Sequence, residues 1–166
     1  MTTFSERWTD AGESTVASRR GLTGSVWHVV IPDSARAVLE GPCLAHLVTL
    51  EPDGRPQVSI VWIGVEGGEL VAGHLFEHRK VKNVRADPRV ALSVESGTRN
   101  QAGLDEYIVV HGQARITEGG AAELLQRLAR VYLGPEVKFP TIDNPPPGYI
   151  TRITVERISG VGPWVS

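Results

Sequence analysis

Apolar and polar positions change period several times along the chain, and each change marks a predicted element. Residues 1–32 hold neither a helical nor an alternating period for long, and "TFSERWTDAGESTVASRRGLTG" reads as an N-terminal arm suited to lying on a partner. In "SVWHVVIPDSARAVLEGP" an apolar patch precedes a short helix from Asp33 to Glu40, with Asp33 or Ser34 placed to cap it and Gly41-Pro42 to end it. Residues 43–75, "CLAHLVTLEPDGRPQVSIVWIGVEGGELVAGHL", run strand, Pro-Asp-Gly turn, strand, Gly-Gly turn, strand, which predicts a three-stranded meander. "EHRKVKNVRADP" returns to helical spacing and stops at Pro88, because proline disfavours helical geometry in the residue before it.

"RVALSVES" is a fourth strand, and a glycine-bearing loop near residues 97–104 leads into a long fifth, "DEYIVVHGQARITE", whose Gly112 predicts a bulge or bend. "GGAAELLQRLARVYLG" spaces its leucines and Val131 by three and four, as a helix of about thirteen residues requires. "GPEVKFPTIDNPPPG" is a proline-rich loop, and "YITRITVERISGVGPWV" is a sixth strand with a stiff tail. Six antiparallel strands with two or three helices make an α+β barrel over residues 33–166, preceded by the arm.

Composition narrows the functional classes. At 166 residues and 41% hydrophobic, the chain has one domain's worth of core. A net charge of −2 and a pI near 6.2 count against a protein that coats nucleic acid or anionic membrane. A single cysteine, Cys43, excludes an intrachain disulfide and reads as a small buried residue. No signal-peptide pattern opens the chain, and no apolar run reaches the roughly 18 residues that cross a bilayer. The expectation is a cytoplasmic protein with a small-molecule partner.

Against that background "HRKVKNVRADPRV", residues 78–90, concentrates five Lys and Arg residues. On a helix beginning near His78, Val81 and Val84 supply the inward anchor, and Lys80 falls in the first turn with Asn83 on its side. Unpaired amides and the helix dipole favour an anion there, and Arg79 and Lys80 would add charge-assisted hydrogen bonds to phosphate oxygens. The other reading is a solvated helix face. Position favours phosphate, because the stretch follows a strand ending in His74, on a sheet rim. Lys82, Arg85 and Arg89 read as ordinary surface charges. "HLFEH" spaces His74 and His78 by four, but its glutamate is misplaced for a zinc-protease helix and no third ligand stands out, so no metal is expected. No nucleophile elbow, Walker A or Gly-x-Gly-x-x-Gly run is present. In "GRPQVSIVWI" an extended strand points Gln57, Ser59 and Val61 one way and Val58, Ile60 and Trp62 the other. The polar set would edge a flat heteroaromatic ring, or else face solvent.

The order "L-x-T-L-x-x-D-G-R-P-Q-V-S-x-V-W", then "H-x-x-x-x-R-K-x-x-N-V-x-x-D-P-R-V" and a closing "R-I-S-G-V-G-P-W", resembles the split β-barrel flavin and deazaflavin oxidoreductases related to pyridoxamine 5′-phosphate oxidase, above all the actinobacterial branch that uses coenzyme F420. The likeness is strongest from Cys43 to Glu95. It implies an FMN-binding split-barrel fold and a homodimer with cofactor sites at its interface. By position, Arg79 and Lys80 would grip the cofactor phosphate, supported by Asn83. Gln57, Ser59 and Val61 would run along the ring system, and His74 would sit near the ribityl or phosphate end. Trp62 and the Pro163-Trp164 tail would wall the site, the tail from either subunit. Pyridoxamine phosphate oxidases carry a basic "R-x-V-L-L-K" segment and close on "R-L-x-P", whereas this chain has "RPQVSIVWI" and "GPWVS", so vitamin B6 oxidation is not expected. The implied activity is hydride delivery from reduced F420 to a quinone, enone or tetrapyrrole-like substrate. An FMN enzyme and a non-catalytic carrier of F420, flavin or haem are the rival readings.

Overall fold

What periodicity reads as one strand through "PQVSIVWIGVE" is two strands, and the break between them decides the architecture. In the computed structural model, which describes residues 29–165, β1 (Ala45–Leu50) is followed by β2 (Pro56–Val61), β3 (Gly64–Glu66) and β4 (Glu69–His74). Later strands are β5 (Arg89–Arg99), β6 (Asp105–Glu118) and β7 (Tyr149–Val161); the helices are α1 (Asp33–Leu39), α2 (Arg79–Ala86) and α3 (Ala121–Tyr132). The sheet is antiparallel throughout and ordered β2-β1-β5-β6-β7-β4-β3. β2 and β3 therefore stand at opposite ends of the order although only Trp62 and Ile63 separate them. The connection brings the two ends of the sheet together and curls it into a barrel.

The expected α+β split barrel is present, with seven strands where six were predicted. The three-stranded meander is corrected: β2 pairs only with β1, and β3 pairs only with β4, so two hairpins replace it. Alternation alone does not reveal the exchange, because the apolar residues on both sides of the break are needed by different neighbours. Inside the barrel, Ala45 and Leu47 of β1 meet Leu92, Val94, Ile108, Val110, Ile153 and Val155, all buried. Their removal from water is the main driving force for closure. α1 plugs one end with Ala35 and Leu39. Its N-cap is Pro32, with no side-chain cap; Asp33 is the first helical residue, where its carboxylate favours the helix dipole instead of capping as expected. Just before it, Ile31 joins the core and the Val29 N–H donates to the Val155 carbonyl at 3.0 Å. The rest of the arm lies outside the described residues.

α3 lies on the outer side of the sheet, where Leu124 and Leu128 pack with Val71 and Ile150. Val131 does not belong to the buried stripe and is 44% exposed. At about 100° per residue the stripe centres on Ala121, Leu125, Leu128 and Tyr132, so Val131 falls at its edge. The β5–β6 connection is tighter than the loop expected at residues 97–104, since β5 continues to Arg99.

The bend foreseen at Gly112 is real: the β6–β7 register shifts between His111 and Gly112. A Cβ at Gly112 would lie 2.1 Å from the Thr154 carbonyl oxygen, so the close approach of the two backbones excludes any side chain. Gly112→Ala should cost about 1–3 kcal/mol of stability in urea denaturation, the range for overpacking a tight site. An unchanged midpoint would show that the bend relaxes freely.

Candidate functional site

α2 is fastened to the barrel by its inward residues. Val81 and Val84 are buried, and so is Asn83, a polar residue that needs partners there. The Asn83 Nδ2–H donates to Thr49 Oγ1 at 3.0 Å, and the fully buried Thr49 hydroxyl donates to Gln57 Oε1 at 3.1 Å. Gln57 completes the chain by donating from Nε2 to the Val58 carbonyl at 3.0 Å. A relay of hydrogen bonds thus runs from α2 through β1 to β2. It fixes the roll of α2, and with it the direction of the remaining side chains.

On the opposite flank, Arg85 pairs with Glu77 and with Glu118 and lies 5.2 Å from the Tyr149 ring, while Arg89 pairs with Asp87. These two cations, read from sequence as ordinary surface charges, tie α2 and its exit to neighbouring segments. Lys80 points elsewhere. It enters a cleft of about 540 Å³ bounded by the ends of β2 and β4, the start of α2, Leu125 of α3, and Phe139 of the proline-rich loop. The walls are mainly apolar; His74, His78, Lys80 and Trp62 are the lining residues whose side chains carry nitrogen.

Burial governs the chemistry of those groups. His74 is 5% exposed and its Nε2 shares a hydrogen bond of 2.9 Å with Thr151 Oγ1. Burial, reinforced by the nearby charges of Lys80 and His78, pushes its pKa down from 6.5 to about 3. It is therefore a neutral imidazole at pH 7, with one N–H donor and one acceptor. Burial likewise lowers the Lys80 pKa below the usual ammonium range, and no carboxylate among the described residues offsets it. A cation without a counter-charge, held partly out of water, favours an anionic ligand.

The structure brings four of the expected site residues, Val61, Trp62, His74 and Lys80, to this one cleft. Gln57 and Ser59 lie on the same inward strand face as Val61 but do not line it. Gln57 is engaged in the relay, whereas Ser59 Oγ is buried with no hydrogen-bond partner among the described residues. Arg79 is directed outward, 66% exposed at its side chain and 3.6 Å from Glu51. Asn83 supports α2 from within. Trp164 is buried in the barrel core and donates from Nε1 to the Tyr107 carbonyl at 3.1 Å, away from the cleft of its own chain. The opposite face of β2 is not a packed apolar surface, because Val58 and Ile60 are 58% and 59% exposed. Sequence reasoning missed His78, Leu125 and Phe139 as lining residues. His78 stood in the quoted "HLFEH", but nothing periodic marks Phe139 in its loop.

The burial of neutral His74 has a measurable consequence. The unfolded chain takes up a proton near pH 6.5 and the folded chain does not until about pH 3, so this stability is intact above 6.5 and lost as pH falls through that window. The slope is about 1.4 kcal/mol per pH unit. Urea denaturation at pH 7 and pH 5 should differ by about 2 kcal/mol from this residue, and His74→Gln should remove that difference. The same pH slope in wild type and variant would place the proton elsewhere.

Comparison with known proteins agrees with this geometry. The family model described as pyridoxamine 5′-phosphate oxidase matches residues 31–162. Among solved structures, an F420 reductase is 28% identical, with 78% of this chain and 98% of that chain covered and a TM-score of 0.63. A conserved hypothetical protein from Mycobacterium tuberculosis is 22% identical over 84% of this chain and 89% of its own, with a TM-score of 0.61. An FAD-binding protein from Mesorhizobium loti is 24% identical over 75% of this chain and 88% of its own, with a TM-score of 0.53. The last two are likenesses of fold. No helix among the described residues is long and apolar enough to cross a membrane. With the family match spanning the whole barrel, the chain belongs to the pyridoxamine 5′-phosphate oxidase family and folds as its split barrel.

Proposed function

We propose that the chain is an oxidoreductase that binds reduced coenzyme F420 in the Lys80 cleft and passes hydride to a small, electron-poor conjugated substrate. The observation that carries this reading is Lys80 itself, a partly desolvated ammonium with no carboxylate beside it among the described residues, at the start of a helix and at the rim of an apolar cleft. The similarity to a solved F420 reductase supports the choice of deazaflavin.

The residues present fit such a cofactor. Lys80 supplies charge to a phosphate, and the Arg79 and Lys80 backbone N–H groups stand in the first turn, where a helix has no internal partners for them. His74, being neutral, offers a hydrogen bond without competing for the anion. The Ser59 hydroxyl, without a partner among the described residues, lies two residues from Val61 on one strand face. The bound deazaflavin would supply the hydride from its C5 carbon. The apolar walls then hold substrate and ring in register and exclude water.

We further propose a homodimer that completes the cleft. Leu44, Ile60 and Phe76 line it yet are 50%, 59% and 56% exposed, so one side of the cleft is an apolar rim left open by its own chain. Val58 continues that rim on β2. A second copy seated on this face would bury it and narrow the cleft. Val58→Glu should convert the dimer to monomer in sedimentation equilibrium, at protein concentrations where the wild type is dimeric. A wild-type monomer would overturn this part of the reading.

Titration with F420 and with FMN, followed by fluorescence, tests the cofactor. Lys80→Ala should weaken F420 binding by about 1.5–3 kcal/mol, the scale for a hydrogen bond to a charged group, and Arg79→Ala should weaken it less. Stoichiometric binding of FMN with none of F420 would replace the deazaflavin by the flavin. Reduced cofactor presented with quinones, enones, nitroaromatics and biliverdin should show turnover; complete inactivity would favour a carrier.

A further inference from the structure

One end of the cleft is aromatic. Trp62, at the β2–β3 break, stacks on Tyr132 of α3 with ring centroids 5.3 Å apart and planes 18° from parallel. The Tyr132 hydroxyl donates to the Cys43 carbonyl at 3.0 Å and accepts the Ile63 N–H at 3.1 Å, so the indole is braced from behind. Phe139 meets the same indole at 5.1 Å, tilted by 57°, and both rings line the cleft beside Leu125.

Phe139 belongs to the segment between α3 and β7, which has no regular secondary structure to place it. The side-chain amide of Gln126 does so. Its Nε2–H donates to the Val137 carbonyl at 2.8 Å, and its Oε1 accepts the Phe139 N–H at 3.0 Å. One amide thus holds two backbone groups of the loop, as a neighbouring strand would. The helix that carries it is anchored by Leu124, Leu125 and Leu128, all buried. The position of Phe139 against Trp62 is therefore transmitted from α3 through a single side chain.

We propose that Gln126 is a specificity-determining positioning residue: it fixes Phe139 against Trp62 and so sets the aromatic wall of a slot for a flat, uncharged, apolar ring of the substrate. Trp62, Leu125 and Phe139 bring no charge to the slot, whereas Lys80 and His78 serve the anionic end of the same cleft. Neutral fused-ring quinones suit it better than carboxylates or puckered aliphatic enones. The proposal rests on the oxidoreductase reading only in calling this ring a substrate.

The test is calorimetric binding of menadione, a neutral naphthoquinone, beside an F420 titration of the same proteins. Gln126→Ala and Phe139→Leu should each weaken menadione by about tenfold, the loss of one well-placed aromatic face. F420 affinity should change by less than about twofold, and the thermal unfolding midpoint should fall by no more than about a few degrees. In turnover the variants should raise KM for menadione and leave kcat unaltered, while an aliphatic enone shows less than about a twofold change. Unchanged menadione affinity would overturn the proposal, and so would an equal loss of F420 affinity, which would assign the wall to the cofactor. Menadione binding that depends on Phe139 in a protein that binds no F420 would sustain the slot and overturn the cofactor reading instead.

Discussion

Interrupting a β-ladder inside a protein leaves backbone groups that must find other partners, and at the β2–β3 break one phenol serves them. The Tyr132 hydroxyl accepts the Ile63 N–H and also reaches the Cys43 carbonyl, while burial raises its pKa and keeps the proton on oxygen. Much else depends on this contact. It lets the chain leave β2 and begin β3 at the other end of the sheet order, which closes the barrel. It docks the end of α3 on that closure. It also braces Trp62 at the break, where Ile60, Val61 and Trp62 all line one cleft.

A second constraint acts on α2. Thr49 is buried on β1, and the barrel can hold its hydroxyl only if both of its hydrogen-bonding roles are met; Asn83 and Gln57 meet them from either side. These residue types would be costly in an apolar core singly, but as a satisfied chain they lock a short helix that has only two buried valines for anchorage. The lock matters because α2 carries cations on several faces. Arg85 and Arg89 are spent on carboxylates, Arg79 lies near Glu51, and Lys80 is turned into the cleft without a counter-charge among the described residues. The basic run is thus divided: Arg79, Arg85 and Arg89 lie against carboxylates, Lys82 stays on the exposed face, and the roll of the helix turns Lys80 into the cleft.

Most of the fold was legible because it is written in period. Six of the seven strands and all three helices follow from alternation, three-to-four spacing, and the positions of Gly and Pro. Gly112 even marked its bulge. The β2–β3 exchange was not legible, since a strand that changes partners keeps the same alternation as one that continues. The site divides along the same line. His74 and Lys80 were readable, being at the end of a strand and the start of a helix whose limits are marked. The engagement of Asn83 and Gln57 with Thr49 was not, because a polar residue at a buried position looks like a ligand-binding one until its partner across the sheet is known. Phe139 and Gln126 left no signal at all, as their contact joins an aperiodic loop to the flank of a helix.

The two ends of the cleft are built differently, and on the proposed reading they meet different demands. The anionic end is built from regular elements, β4 and α2, whose positions are fixed by the core and by the Asn83–Thr49–Gln57 relay, so its geometry is expensive to alter. The aromatic end is built from a loop held by one amide, so its shape changes with few consequences for the barrel. Loss of Gln126 would free Phe139 without removing any residue of the hydrophobic core, whereas loss of Asn83 would leave a buried hydroxyl short of a partner and loosen the helix that aims Lys80. A fold organised in this way can keep the Lys80 end of its cleft while the aromatic end varies, because different elements hold the two.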